Sequence, residues 1–170
     1  IPWADAGFGM DFPRFMEWKD RLINLPMRVY WAVPEDKMIK CPHSPNVTYL
    51  KRMDGAEISN DAGMIHSGGT SGFGGMQIAL LKRARRIGLF GFDYSGQFGM
   101  YATRFHHNEK HYAAKRTQEA SNWATWAGYF TKIKPQLDAR GVEVVNACPS
   151  SSISAFRKVS LDEAVNFING

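Results

Sequence analysis

Along this chain, short apolar runs rich in β-branched and aromatic residues alternate with stretches whose apolar positions recur at helical spacing. The first pattern predicts strands, the second helices packed on them. Ala4 to Met10 is expected as a short strand. A helix follows, capped by Asp11, opened by Pro13 and made amphipathic by Phe15, Trp18 and Leu22, with Pro26 ending the unit. Arg28 to Val33, closed by Pro34, predicts a buried strand. Glu35 to Pro45 is expected as loop, Asn46 to Leu50 as a short strand, and Lys51 to Gly63, with mixed charge and little periodicity, as an irregular excursion.

From Ser67 the signal sharpens. Ser67 to Gly75 reads as a Ser/Gly-rich turn before an apolar helix running from Met76 to Ala84, with Phe73, Met76, Ile78, Ala79 and Leu81 suited to tight packing on a sheet. Ile87 to Phe92 is nearly continuous in apolar residues, as a central parallel strand requires, and delivers Asp93 and Tyr94 past its carboxyl end. Gly96 to His111 is expected as a long loop. A helix from Ala113 to Ala139 carries Trp123, Trp126, Ala127, Phe130, Ile133 and Leu137 at helical spacing, with Pro135 kinking or breaking its last turn and Gly141 as its stop. Val142 to Asn146 is the last expected strand, and Ser160-Leu161-Asp162-Glu163 opens a terminal helix with a capping box. Helix–strand alternation with short connections predicts an α/β fold with a mostly parallel sheet.

Composition narrows the class of molecule. With 170 residues, 44% apolar and 13% aromatic, the chain can bury a sizeable core without staples. Cys41 and Cys148 have neither CxxC nor Cys/His spacing, which signals no disulfide framework and no metal set and fits a reducing, cytoplasmic compartment, the host's if the chain is phage-encoded. No run approaches the roughly 20 apolar residues of a membrane span. The formal charge of +5 is spread over several short runs, compatible with an anionic small molecule or with a solvated face.

The candidate chemistry clusters around the Ser/Gly turn. Ser67, Gly68, Ser71 and Gly72 offer backbone N–H groups at the positive end of a helix, where a phosphate can sit, and small residues that also permit close packing. The turn has neither GxGxxG order nor a GKS/GKT ending, so NAD and P-loop readings fall away. Asp93 can accept hydrogen bonds from sugar hydroxyls, and Tyr94 and Tyr101 can donate to a phosphate oxygen. His107 and His111, in a loop that also holds His106, Arg104 and Lys110, are the candidate bases. Asn146 and the Ser150-Ser151-Ser152 run leave the last strand with amide and hydroxyl groups able to hold a base or a sugar. The tryptophan-bearing helix reads as core or as a homo-oligomer interface, and nucleic acid is not an expected partner.

The Ser/Gly turn, the small apolar helix, Arg85-Arg86-Ile87-Gly88-Leu89-Phe90-Gly91-Phe92-Asp93-Tyr94, the His111-Tyr112 pair, the long helix, Val142-Glu143-Val144-Val145-Asn146-Ala147-Cys148-Pro149-Ser150 and Ala155-Phe156 together resemble one superfamily. The chain is similar, over about Met64 to Val165, to the bacterial family 42 sialyltransferases and their relatives, the motility accessory factor and archaeal pterin diphosphokinase-like proteins. Pro2-Trp3-Ala4-Asp5 with Asp11 resembles uncharacterised phage-borne members in particular. The resemblance implies a single Rossmann-like, three-layer α/β domain over residues 1–170, with the family's first strand and nucleotide loop preceding Ile1 and missing here. It implies a nucleotide or nucleotide-sugar donor over the turn, with Ser71, Asp93, Tyr94 and Tyr101 at the matching positions. Where the family has its catalytic His, a few residues after the His-Tyr pair, this chain has Lys115, which leaves His107 or His111 as the base. The expected function is therefore glycosyltransferase-like. A noncatalytic viral accessory oligomer and a diphosphokinase acting on a small heterocycle are the alternatives.

Overall fold

The computed structural model describes residues 4–95 and 116–170, which form two compact units, Ile1–Ala84 and Arg85–Gly170. Both are α/β with parallel strands, so the expected fold class is the one observed.

In the first unit, strands β1 (Ala6–Gly9), β2 (Arg28–Val33), β3 (Val47–Met53) and β4 (Met64–His66) pair in that order, all parallel. Helix α1 (Phe12–Leu22) connects β1 to β2, and helix α2 (Ser71–Leu81) follows β4. The apolar run of β2 is explained by its two faces. Val29, Trp31 and Val33 pack with Phe15 of α1 and Val47 of β3, while Tyr30 and Ala32 pack with Leu50, Ile65 and Ile78 of α2. Alternate side chains thus enter opposite cores, each large apolar group contributing about 1.5–3 kcal/mol on burial. Two glycines make the layers fit. A Cβ on Gly9 would lie 2.5 Å from the Trp31 ring, and one on Gly74 would lie 2.8 Å from Phe8 of β1 and 3.2 Å from Ile65 of β4.

The free edge of β4 is closed by a side chain. Gln77 of α2, 2% exposed, accepts from the His66 N–H at 3.2 Å and donates to the His66 and Glu57 carbonyls, each at 2.9 Å. Its amide stands where the next strand's backbone would be, satisfying groups that a sheet edge leaves bare.

In the second unit, β5 (Arg86–Leu89), β6 (Glu143–Asn146) and β7 (Arg157–Lys158) form a parallel sheet, with helices α3 (Arg116–Ala139) and α4 (Leu161–Asn169). Val145, Val159 and Ala164 form a core with Phe167 of α4, while Phe130, Ile133 and Leu137 bury the inner face of α3. Two arginines of the basic run seal helix ends. Arg85 donates to the Arg140 carbonyl just past α3 at 2.7 Å, and the Arg86 guanidinium lies 5.9 Å from the Phe167 ring centroid near the end of α4.

Several boundaries differ from expectation. β3 runs on to Met53 through the charged pair Lys51-Arg52, and Glu35–Lys40 forms a 3-10 helix within the expected loop. β4 and β7, of three and two residues, carry too little pattern to be read. β5 ends at Leu89, before the expected Phe92. α3 continues past Pro135 to Ala139 without a break, since Pro135 and Thr131, whose carbonyl loses its helical partner, are both exposed to water. The capping box forms as expected, with Ser160 and Glu163 each bonded to the other's backbone N–H.

Replacing Gln77 by Leu leaves three backbone groups without their partner and is expected to lower unfolding stability by about 2–3 kcal/mol, read from urea denaturation. The backbone N–H of Ser160 holds the Glu163 carboxyl below its ordinary pKa. Its stabilisation is therefore present above the unfolded-state value and lost as pH falls through the folded one. Glu163→Gln should lower the melting temperature at neutral pH, with the difference from the parent vanishing in strong acid.

Candidate functional site

Four parallel strands bring their following segments to one edge of the first sheet, and a cleft of about 500 Å³ opens there. After β1 it is lined by Met10, Asp11, Phe12 and Pro13. Pro34 and Lys37 come after β2, Arg52 from the end of β3, and Gly69, Thr70 and Ser71 after β4. Arg52 is fixed by donating to the Met10 carbonyl at 2.8 Å. The Lys37 ammonium pairs with Asp36 at 2.7 Å, and that bond and charge hold the Asp36 carboxyl below its usual pKa. Asp11, the only acidic side chain among the described lining residues, caps α1.

The turn entering α2 is tighter than the sequence pattern suggests. The helix begins at Ser71, so Gly72, Gly74 and Gly75 are helical and the turn is only Ser67 to Thr70. Gly68 and Gly69 take positive φ of 50° and 70°, and a Cβ on Gly68 would lie 2.4 Å from the Phe73 ring. Ser67 is buried, its hydroxyl accepting from the Gly69 N–H at 3.3 Å, and Thr70 caps Phe73 N–H, also at 3.3 Å. Of the expected anion-binding residues, Ser67 and Gly68 therefore shape the turn. Ser71 and Gly72 carry the first-turn N–H groups, for which no acceptor exists among the described residues.

Asp93, Tyr94 and Asn146 belong to the second unit. The Asp93 carboxylate accepts from the Tyr94 N–H at 2.8 Å, bracing a backbone with φ 50°, and Tyr94 is 7% exposed among Phe92, Trp123 and Phe130. Asn146 is fully buried at the end of β6. Its Oδ1 accepts from the Cys148 N–H at 3.0 Å, and its Nδ2 has no partner among the described residues. The segment after β6 is brought against the segment after β5: the Ser152 N–H donates to the Asp93 carbonyl at 2.7 Å and the Ser151 hydroxyl donates to the Phe92 carbonyl. Tyr101, His106, His107, His111 and Lys115 lie outside the described residues.

Arg52, Lys37, Asp11 and Thr70 are polar cleft residues that sequence reasoning did not place there. Arg52 was hidden because charged Lys51-Arg52 ends the apolar run of β3, and Thr70 because a glycine-rich stretch masks a helix start. Among the described residues no three His, Cys, Asp or Glu side chains converge as a metal set, and no helix is long and apolar enough to cross a membrane. Comparison with protein-family models, with curated proteins and with solved structures finds no match.

If Gly68 serves the turn rather than a ligand, Gly68→Ala should cost about 2 kcal/mol or more in urea unfolding, from the strained φ and the Phe73 collision.

Proposed function

We propose that the first unit binds a phosphate-bearing small molecule, a nucleotide or nucleotide-sugar, and that the chain is a glycosyltransferase-like protein of phage or bacterial origin. The observation carrying this is the cleft at the carboxyl edge of β1 to β4, where the uncovered Ser71 and Gly72 N–H groups stand at the positive end of an 11-residue helix with Arg52 and Lys37 among the walls. Such an arrangement suits an anion. In group transfer the same donors would take up charge developing on a departing phosphate. The proposal keeps His107 and His111 as candidate bases and the family resemblance as support for the donor class.

A noncatalytic, self-associating protein is the second reading. It is favoured by Leu161, Val165 and Ile168, 62%, 40% and 41% exposed, on one face of α4.

Thermal denaturation with inorganic phosphate, CMP, UDP and CMP- and UDP-sugars separates the two. Binding to the folded state alone adds about 2.7 kcal/mol of stability at a hundredfold excess over Kd. Ser71→Asp splits the readout: the added carboxylate favours the helix dipole by about 0.5 kcal/mol, yet repels a bound anion. A raised melting temperature with loss of the ligand-induced shift is expected. No shift with any phosphate compound, together with a multimer that Val165→Glu dissociates, would replace the proposal with the second reading.

A further inference from the structure

The second unit contains a different kind of cavity. A cleft of about 350 Å³ lies against α3, where Tyr94 and Trp123 form an aromatic corner with centroids 5.8 Å apart and rings at 89°. Gly128 sits in its floor, and a Cβ there would meet nothing within 4 Å. The hydroxyl side chains of Thr131 on α3 and of Ser152 and Ser154 on the segment after β6 line it, all on exposed residues with no protein partner for these hydroxyls among the described residues. Pro135 has no N–H to give the Thr131 carbonyl, which leaves that acceptor without its usual helical bond. No charged side chain is among the described lining residues, in contrast to the Arg52 cleft.

The hydroxyl-bearing segment is held in place before any ligand arrives. Ser152 N–H is bonded to the Asp93 carbonyl at 2.7 Å, Ile153 N–H to the Ser151 hydroxyl at 3.1 Å, and the Lys158 ammonium to the Ser151 and Pro149 carbonyls at 2.7 and 3.1 Å;. A fixed set of groups loses little freedom on binding. Hydroxyls that rotate to donate or accept match a ring bearing both kinds of group, and the aromatic corner and small-residue floor match such a ring's C–H faces. The volume falls within the range of small-molecule sites, and the described lining residues supply no cation for a phosphate.

We infer that this cleft is a binding site for a neutral saccharide, holding one pyranose ring between the Tyr94/Trp123 corner and the Thr131, Ser152 and Ser154 hydroxyls. The inference uses residues of the second unit alone and stands whether or not the first unit binds phosphate.

The test is saturation-transfer NMR on the full chain with the methyl glycosides of glucose, galactose, mannose and N-acetylglucosamine. At least one should bind with a Kd on the order of millimolar. Gly128→Leu fills the floor while improving helix propensity, so it should fold as stably as the parent and weaken binding by about tenfold or more. Thr131→Val with Ser152→Ala, which removes hydroxyls at nearly unchanged volume, should weaken it as well, while Ser71→Asp leaves it unchanged. Absence of binding by all four glycosides at tens of millimolar, or binding that survives both cleft variants, overturns the inference.

Discussion

A strand buried on both faces must be covered on both, and β2 imposes that requirement on the first unit. Val29, Trp31 and Val33 cannot be exposed without exposing a core, and neither can Tyr30 and Ala32 on the reverse. One layer is supplied by α1 through Phe15, the other by α2 through Ile78. The second layer closes only because Gly74 lets α2 rest against Phe8 and Ile65, and because Gln77 satisfies the outer edge of β4, the last strand of the first sheet. The position of α2 is thus dictated from its middle, and its N-terminus follows.

That N-terminus opens where β1 to β4 all end. Parallel pairing makes this geometric, since strands running one way hand their connections to one edge of the sheet. Arg52, from the end of β3, and Ser71, from the start of α2, reach one cleft from opposite ends of a chain segment that includes β4 and the tight Gly68-Gly69 turn. The second unit uses the same parallel logic with different chemistry. There the segments after β5 and β6 are bonded to each other, Tyr94 is packed among aromatic rings, and the neighbouring cleft is lined by hydroxyls rather than cations.

Strong local chemistry was legible in the amino-acid sequence. The Asp11 cap, the β2 run, the long α3 and the Ser160/Glu163 box each declare themselves through a pattern that tertiary packing then reuses. What was not legible depends on distance. β4 is a strand because β3 and Gln77 satisfy it, and nothing in Met64-Ile65-His66 says so. The glycines of α2 read as loop because isolated helices disfavour them, whereas Gly74 is there for the sheet that Phe8 and Ile65 build. Ser71 was expected beside the positive end of a helix and stands at the start of α2, but its companions in the cleft come from strand ends far apart in sequence. Asp93 and Tyr94 were expected as ligand contacts; what the structure shows at these two residues is a bracing bond and a packed ring.

The central claim is that the edge of the first sheet is built for a phosphate at the start of α2. Amide chemical shifts recorded while the full chain is titrated with CMP, and separately with inorganic phosphate, test it at the atoms concerned. The account predicts saturable shifts largest at the Ser71 and Gly72 N–H groups, with smaller ones at Arg52 and Lys37, for both titrants. Shifts confined to other residues, or none at saturating phosphate, would contradict it.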